Sequence, residues 1–504
     1  MAHQERRARG QPGVPARGQE RRLSPVRQAA LLIPVVWSAP AARGPVTGTV
    51  VVPGSKSLTN RHLLLASLAD GPTTLHGALV SRDADLMLGA IQALGVAVER
   101  TPDDATWVLT PPTALRAGGR IDCGLAGTVL RFVPPVAALA GGPVEFDGDA
   151  AARTRPIAPL LTALAELGVE VDHGGRHTLP FTVLGTGSVR GGEVGVDASA
   201  SSQFVSALLL AAPRFEQGLT LRHTGERLPS LPHIEMTVQT LRGAGVQVDT
   251  PSRGVWHVSP GLVSGREVTV EPDLSSAAPF LAAAAATGGT VTIGGWPTST
   301  TQAGDRMREI LSTMGAQVEL APPVLNTGPN DGATGRGHGG TGTHNGSPGS
   351  ETTKTAVLTV TGPPPGQLRG ADLDLHDVGE LTPVVAALAA LAATPSRLSG
   401  IAHLRGHETD RLAALESELC RLGGDVTQTE DGLDISPTRL FPAQLQTYED
   451  HRMVMAAAVL ALAVPGTEVL GAGTVAKTFP SFERVWTSLV LGAGATAPAG
   501  DALR

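Results

Sequence analysis

Cysteine is almost absent from this sequence, since only Cys123 and Cys420 occur among 504 residues. Two cysteines cannot form a framework of disulfides, and such scarcity is typical of proteins of the reducing cytosol. Cys123 precedes Gly124 in a predicted loop, and we interpret it as an idle, buried thiol, with a nucleophile as the alternative. The sequence therefore predicts a cytoplasmic protein whose fold does not depend on disulfides.

Aromatic side chains and long apolar runs are also scarce. Aromatic residues make up 3% of the chain while 41% of its residues are hydrophobic, so Ala, Val and Leu must fill the cores. The apolar run 453–464 has 12 residues, whereas a membrane-spanning helix needs about 20. A net charge of −7 argues against nucleic acid as a partner, because nucleic-acid-binding domains are basic. We expect neither nucleic acid nor a membrane as a partner.

The N-terminal segment is basic and lacks a clear structural pattern. Residues 1–28 carry seven Arg against two Glu, and a short apolar run, 29–36, follows and contains Pro34. This arrangement loosely imitates a signal or transit peptide. The run is short and the segment is poor in Ser, so we predict a disordered extension over residues 1–44, or a start codon placed too early.

The most informative stretch of the chain is 53–61, with the sequence PGSKSLTNR. It opens an apolar helical run, and a helix start presents free backbone N–H groups and the positive end of a dipole. Lys56 and Arg61 add two cations there, which predicts an anion site. The alternative is a helix cap with two solvated cations. The glycine spacing of a P-loop is absent.

Helix starts of this type recur along the chain at a nearly constant spacing. The steps between them are 72, 74, 74, 106 and 70 residues. Glycines that end a helix and lead into a short strand follow the same rhythm, beginning at Gly95 and ending at Gly423. Fixed periodicity of this kind predicts six α/β repeats. The reference residues of the six helix starts are Lys56, Thr128, Ser202, Ser276, Thr382 and Arg452.

One long step in each series locates an insertion of about 35 residues, the difference between glycine steps of 108 and 73. Residues 322–353 supply it, because they are rich in Gly, Thr, Asn and Pro and have no apolar period. We predict a disordered surface loop there. His338 and His344 in this loop could bind a metal ion, but a solvated low-complexity segment is the favoured interpretation. We expect no metal site.

Cations lie at helix starts where the dipole disfavours them. Arg411 and Arg452 each open a predicted helix, in the segments HETDR and EDHR. A cation near a helix N-terminus is unfavourable unless an anion lies between them. Arg155 in RTRP and Lys477 in AKTF add further charge. Together these motifs predict a cleft for multiply charged anions.

Six motifs occur in a fixed order between residues 46 and 486: PGSKSxxNR, AGT, SSQF, HETDR, DHRM and AKTFP. Together they resemble the 5-enolpyruvylshikimate-3-phosphate (EPSP) synthase family, the 3-phosphoshikimate 1-carboxyvinyltransferases. The resemblance implies a two-domain inside-out α/β barrel with six βαβαββ-type repeats, three in each domain. Domain I would comprise residues 45–53 and 273–496, and domain II residues 54–272.

The resemblance also implies a reaction. The enolpyruvyl group of phosphoenolpyruvate would move to the 5-hydroxyl of shikimate 3-phosphate, with release of phosphate, through a tetrahedral addition-elimination intermediate. This is a step of the shikimate pathway towards chorismate and the aromatic amino acids. No cofactor is implied, and the protein would be a monomer. Glyphosate would compete with phosphoenolpyruvate, since residues 125–128 (LAGT) resemble the sensitive members of the family.

Site residues carry over from the same motifs. Catalysis would fall to Lys56, Glu380 and Glu408. Shikimate 3-phosphate would be bound by Lys56, Ser57, Arg61, Ser201, Ser202, Gln203, Ser230, Glu380, His403 and His407. Phosphoenolpyruvate would be bound by Lys56, Gly127, Arg155, Gln203, Arg411, Arg452 and Lys477.

Three positions depart from the enterobacterial pattern of the family. Glu380 stands in place of Asp and keeps the carboxylate, while His403 replaces Asn and His407 replaces Lys. An imidazole beside a bound anion should have a raised pKa.

Two other functions stay open at the level of sequence. The enolpyruvyl transferase that acts on UDP-N-acetylglucosamine shares the implied fold, but it lacks the SKSxxNR and HETDR patterns and uses a loop Cys, whereas Cys123 lies in DCGLAGT. A non-catalytic anion-binding scaffold is the other alternative. The joint presence of Lys56, Glu380, Glu408 and Arg411 argues against it.

Overall fold

Helices and short strands alternate along the described part of the chain. A computed structural model describes residues 36–322, 350–351 and 354–492. Its α-helices are α1 (Lys56–Leu68), α2 (Arg82–Ala93), α3 (Gly127–Ala137), α4 (Ala158–Glu166), α5 (Gln203–Ala211), α6 (Leu231–Gly243), α7 (Leu274–Thr287), α8 (Met307–Thr313), α9 (Thr382–Leu391), α10 (Arg411–Arg421), α11 (His451–Ala463) and α12 (Phe482–Leu491).

The strands are mostly three to five residues long, and the whole is a mixed α/β fold. They are β1 (Val36–Ser38), β2 (Gly48–Val50), β3 (Thr73–His76), β4 (Ala97–Arg100), β5 (Thr106–Thr110), β6 (Arg120–Asp122), β7 (Pro143–Asp147), β8 (Glu170–Asp172), β9 (Phe181–Leu184), β10 (Gly192–Val196), β11 (Leu219–His223), β12 (Val248–Ser252), β13 (Val255–Val258), β14 (Glu267–Thr269), β15 (Thr290–Pro297), β16 (Gln317–Ala321), β17 (Ser350–Glu351), β18 (Thr355–Thr361), β19 (Asp372–Asp374), β20 (Ser396–Ser399), β21 (Asp425–Gln428), β22 (Leu433–Ser436), β23 (Gln444–Gln446) and β24 (Glu468–Leu470).

The predicted helix starts are confirmed. α1 begins at Lys56 and α9 at Thr382, as expected, and α3, α5, α7 and α11 begin within two residues of their predicted positions. Side-chain caps explain several of these starts, since the Asp273 carboxylate accepts from the N–H of Ser276 at 2.8 Å. The glycines that were predicted to end helices are confirmed as well, and they follow α2, α4, α6, α8 and α10. All five adopt the left-handed conformation that favours glycine, with φ between 80° and 101°.

Sheets of the described residues share one pairing pattern. In five of them two strands pair in parallel and two more follow antiparallel; one example is β10–β11–β13–β12. The same pattern appears in β14–β3–β5–β4, β6–β7–β9–β8, β2–β15–β18–β16 and β19–β20–β22–β21. In the sixth sheet β23 and β24 are parallel, and β1 is the antiparallel neighbour of β24.

Buried apolar side chains form two clusters. One draws on residues 63–270, and the other on residues 39–52 and 274–490. The chain passes between the clusters twice, and the two passages lie side by side. Ser55 N–H donates to the Glu271 carbonyl at 2.8 Å, and Asp273 N–H donates to the Pro53 carbonyl at 2.8 Å. The predicted division into two domains stays a prediction, and these clusters are the observation on which it depends.

The N-terminal extension was predicted to be disordered through residue 44, and this is wrong for residues 36–44. Strand β1 pairs with β24, and the Trp37 ring meets Phe482 edge-on with centroids 6.2 Å apart. Ala42 N–H donates to the Leu462 carbonyl at 3.0 Å. Pairing with β1 satisfies an edge of β24, which the local sequence could not reveal. Residues 1–35 lie outside the described residues.

The predicted disordered insert, 322–353, also needs a correction at its C-terminal end. Ser350–Glu351 forms β17, which runs parallel to β14 with Glu267 opposite Ser350. The pairing partner lies far away in sequence, and a two-residue strand has no periodic signal. Residues 323–349, with His338 and His344, lie outside the described residues.

Two further expectations can be compared with the structure. Cys123 is buried, and burial raises the pKa of its thiol, which disfavours the nucleophilic thiolate. Within the described ranges, no helix combines the length and the apolar character needed to cross a membrane.

Candidate active site

The start of α1 holds the first predicted cations in place. The Lys56 ammonium lies 3.3 Å from a carboxylate oxygen of Asp83. Arg61 is buried, and its guanidinium donates to the hydroxyl of Thr237 and to the carbonyls of Ser57 and His233, at 2.8–2.9 Å. Burial lowers the pKa of Arg61 to about 9, although the charge of Glu380 opposes this effect. Arg61 is therefore an anchored cation rather than a mobile surface group.

The three predicted phosphate-binding serines stand at the starts of two neighbouring helices. Ser202 is the N-cap of α5, and the Ser201 hydroxyl accepts from the N–H of Gln203 at 3.3 Å. Ser230 precedes α6 with a left-handed backbone, φ 54°. Helix starts with free N–H groups and hydroxyls suit a phosphate.

Two guanidinium groups lie near the start of α3. Arg155 donates to the Leu125 carbonyl at 3.0 Å, close to Gly127. Arg131 donates to the Gln203 side-chain oxygen at 2.8 Å. Burial, together with the charge of Arg155, lowers the pKa of Arg131 to about 9. Arg131 was not predicted as a site residue, because AGT ends three residues before it.

The cation at the start of α10, Arg411, is paired with an anion within the protein. Asp450, the N-cap of α11, accepts from the backbone N–H of Arg452 at 2.9 Å. The same carboxylate receives two hydrogen bonds from Arg411, at 2.7 and 3.2 Å. Arg411 is 3% exposed and Asp450 is 0% exposed. One buried carboxylate therefore holds both motifs together.

Glu408 lies in the middle of a second charged group. One of its oxygens is 3.4 Å from the Lys477 ammonium and 3.3 Å from Nδ1 of His451. Burial alone would raise the pKa of the Glu408 carboxyl, but His451, Lys477 and Lys56 outweigh burial and hold it well below its usual value. Lys477 also donates to the Glu449 carbonyl at 2.7 Å.

These acids invite a metal interpretation, which the surroundings disfavour. Glu408, Asp450 and His451 offer ligand atoms within 4.8 Å of one another. Both Asp450 oxygens already accept from Arg411, and Glu408 neutralises Lys477. The acids therefore compensate cations of the site.

Glu380 lies in a short 3-10 helix, Gly379–Leu381, just before α9. One carboxylate oxygen is 2.5 Å from Nε2 of His233, and the other accepts from the hydroxyl of Ser275. Burial raises the pKa of this carboxyl, but His233, Arg452 and the Ser275 hydrogen bond lower it by more than burial raises it. The net pKa is therefore below its usual value. Glu380 is ionised and available to accept a proton.

The two unusual histidines behave differently from the prediction. Burial lowers the pKa of His403 to about 4, and His376 and Arg411 add to this effect. Burial also holds the pKa of His407 well below its usual value, with Arg411 as the nearest cation and Nη1 of that arginine 3.4 Å from Nδ1. The predicted rise in pKa is wrong for these two groups in the protein itself. Both rings are withdrawn from solvent and lie near Arg411, and each of these effects lowers the pKa.

Most of the predicted residues are connected by contact or charge. His407 touches Arg411, Gln203 touches Arg131, Lys477 touches Glu408, and the charges of Arg61 and Arg452 interact with Glu380. Within the described residues, the Ser201 hydroxyl accepts from the N–H of Gln203 at 3.3 Å, whereas the hydroxyls of Ser57, Ser202 and Ser230 make no contact with these groups. Six residues were missed by sequence reasoning: Asp83, Arg131, His233, Ser275, Asp450 and His451.

Some of these omissions had a signal. Asp450 and His451 lie inside the DHRM motif itself, and Asp450 could have been assigned from the two cations that needed an anion. Asp83, His233 and Ser275 belong to no cationic motif. Their roles depend on which distant side chain they meet.

Two cavities open beside residues of the site. One of about 480 Å³ is lined by residues that include Lys477, Glu449 and Arg82. Another of about 620 Å³ reaches His376 and His403. The site thus combines several cations, two ionised buried carboxylates and space for small molecules.

An α/β fold with such a site is suited to an enzyme that binds small anionic molecules. A model of the family described as EPSP synthase (3-phosphoshikimate 1-carboxyvinyltransferase) matches residues 40–486. The chain belongs to the EPSP synthase family. The 3-phosphoshikimate 1-carboxyvinyltransferase of Kocuria rhizophila is 54% identical over 464 residues, which are 90% of this chain and 96% of that protein.

Solved structures support the fold. The EPSP synthase of Acinetobacter baumannii matches with a TM-score of 0.72 and 24% identity, over 92% of this chain and 98% of that one. The enolpyruvyl transferase NikO of Streptomyces tendae matches with a TM-score of 0.64 and 16% identity, over 90% and 97% of the two chains.

Proposed function

We propose that this chain transfers the enolpyruvyl group of phosphoenolpyruvate to the 5-hydroxyl of shikimate 3-phosphate and releases phosphate. Family membership and the name of the Kocuria rhizophila relative support this reaction. The observation that carries it is the pair of ionised carboxylates, Glu380 and Glu408, each held in its own group of partners. Addition followed by elimination needs proton transfer at two places on the substrates, the hydroxyl and the methylene carbon.

The first half of the reaction is an addition. Glu380 takes the proton of the 5-hydroxyl while that oxygen bonds to C2 of phosphoenolpyruvate. C3 receives a proton from Lys56, whose charge acts on Glu408. The product is a tetrahedral intermediate, and the cations around it stabilise charge that moves between its oxygens.

The second half is an elimination. A C3 proton returns to Lys56 or Glu408, the C2–C3 double bond forms again, and the bond from C2 to the phosphate oxygen breaks. Phosphate leaves with the electrons of that bond, and Glu380 returns its proton to phosphate or to solvent.

Each substrate is assigned to its own group of residues. Arg155, Arg411, Arg452 and Lys477 suit the carboxylate and phosphate of phosphoenolpyruvate, since guanidinium groups bind such anions bidentately. The shikimate 3-phosphate side comprises Ser57, Arg61, Ser201, Ser202, Ser230, His403 and His407, with Gln203 and Lys56 serving both substrates.

The finer architecture belongs to the same proposal. Six sheets of similar pairing and two apolar clusters support an inside-out α/β barrel of two domains with three repeats each. We further propose a cytoplasmic monomer that acts without a cofactor.

Phosphate release from phosphoenolpyruvate tests the reaction. The purified chain is assayed with shikimate 3-phosphate, with UDP-N-acetylglucosamine and with no acceptor. We expect release with shikimate 3-phosphate alone. Release with the nucleotide sugar would identify the other transferase, and tight binding of phosphoenolpyruvate without turnover would identify a scaffold.

A further inference from the structure

The carboxylate of Glu380 is held by side chains at both oxygens. Nε2 of His233 lies 2.5 Å from Oε2, and the Ser275 hydroxyl donates to Oε1. His233 comes from α6 and Ser275 from α7, so three separate elements meet at this carboxylate. The His233 and Glu380 side chains are 19% and 15% exposed. With both oxygens bonded, the carboxylate is fixed in one orientation.

The backbone of His233 is itself held in place by hydrogen bonds. The His233 carbonyl accepts from Arg61 at 2.8 Å, and its N–H donates to the Ser230 carbonyl at 3.0 Å. Ser230 N–H in turn donates to the His376 carbonyl at 3.4 Å, and His376 Nε2 lies 3.1 Å from the Leu228 carbonyl. The first turn of α6 is therefore tied to the segment that precedes Glu380.

A contact this short between an imidazole nitrogen and a carboxylate requires a hydrogen atom between them. A neutral ring with hydrogen on Nε2 supplies it and leaves Glu380 free to act as a base. A doubly protonated ring also supplies it, but its positive charge lowers the proton affinity of the carboxylate. In either form the hydrogen atom on Nε2 holds Oε2 of Glu380 in place.

We propose that His233 is a positioning residue for the transfer reaction, which holds the carboxylate of Glu380 in the orientation needed to take the proton of the 5-hydroxyl. This inference rests on the proposed function. During the addition the 5-hydroxyl proton moves to Glu380 and the oxygen bonds to C2, while the Nε2 hydrogen stays on His233. No proton passes through the ring.

Two cations from other elements also act on this carboxylate through their charges. They are Arg61 from α1 and Arg452 from α11.

Two substitutions of His233 test whether its hydrogen bond positions Glu380. In His233→Gln the amide can still donate to Oε2, so we expect this variant to retain more of kcat than His233→Ala. His233→Ala should lose about tenfold or more in kcat, because the carboxylate loses one of its two anchors. His257→Gln, whose ring contacts the Thr220 hydroxyl away from this site, is the matched control.

Two results would overturn the inference. They are a His233→Ala variant with wild-type kcat, and a His233→Gln variant that retains no more of kcat than His233→Ala. Failure of the proposed function looks different, because the wild-type chain would then release no phosphate with shikimate 3-phosphate at any pH.

Discussion

Gly127 lies directly against the guanidinium of Arg155. A Cβ atom at residue 127 would be 3.0 Å from Nη1 of Arg155 and 3.4 Å from its Cζ. Arg155 is fixed in this place because Nη1 donates to the Leu125 carbonyl. An added methyl group must therefore displace a cation that we assign to phosphoenolpyruvate.

We predict that Gly127→Ala raises KM for phosphoenolpyruvate and weakens competitive inhibition by glyphosate. A loss of about 1.4 kcal/mol corresponds to a tenfold rise in the inhibition constant. Steady-state kinetics with glyphosate titrations measure both effects. Gly89→Ala in α2 is the control, since a Cβ there meets nothing within 4 Å. Equal inhibition of wild type and Gly127→Ala would contradict this description of the pocket.

Lys56→Ala should nearly abolish turnover. We place this ammonium where both substrates meet, and it lies beside Asp83, with its charge acting on Glu408. Loss of more than about tenfold in kcat, or ~1.4 kcal/mol of barrier, is expected. The exposed Lys354 is the matched control, and Lys354→Ala should keep wild-type kinetics. A Lys56→Ala variant with less than a tenfold loss would remove this lysine from the mechanism.

Asp450→Asn should destabilise the fold as well as the site. It leaves the guanidinium of Arg411 buried without its carboxylate, and breaking such a pair typically costs about 3–5 kcal/mol. Urea unfolding of both proteins gives the difference in free energy of unfolding. As control, Glu193→Gln breaks an exposed pair with Arg222 and should cost less than about 1 kcal/mol. If the two variants are equally stable, the pair at Asp450 does not anchor α11.

Removal of the N-terminal segment should have two different outcomes depending on its extent. Deletion of residues 1–34 keeps β1, and we expect no change in Tm. Deletion of residues 1–44 removes β1 and the contact of Trp37 with Phe482, which exposes the edge of β24. This deletion should lower Tm by several degrees, since 1 kcal/mol corresponds to about 2–4 °C for domains of about 150–250 residues. Thermal unfolding of both truncated proteins decides the matter, and equal Tm values would mean that β1 contributes nothing.

The insert should be dispensable between its ordered ends. Ala321 and Val357 lie opposite each other in the antiparallel pair β16–β18, so a short turn can close this hairpin, and loop entropy changes by only about 0.6 kcal/mol per doubling of length. Replacing residues 324–348 with a short Gly-Ser linker should leave kcat, both KM values and Tm almost unchanged, and this stretch should be cut first by protease. A replacement that also removes β17 is the comparison. Lost activity in the shorter replacement would show that the insert takes part in the site.

Local signals accounted for the order of the elements. The starts of α1 and α9 and the glycines that end helices follow from caps and from left-handed backbone, which depend on a few neighbouring residues. For the same reason the cationic motifs could be recognised without knowing their partners. The strand β1 was missed, because its apolar run resembles a processing signal until β24 is seen beside it.

The amino-acid sequence by itself determined the helix starts, the repeated units, the cations and the family. The tertiary structure alone decided which groups meet: that Asp450 neutralises Arg411, that His233 and Ser275 hold Glu380, and that burial, with Arg411 nearby, lowers the pKa of His403 and His407. The physical reason is the separation along the chain between the residues that interact. Caps and turns are interactions between close neighbours in the chain, whereas His233 and Glu380 are 147 residues apart, and the charge state of a buried group depends on everything that the fold packs around it.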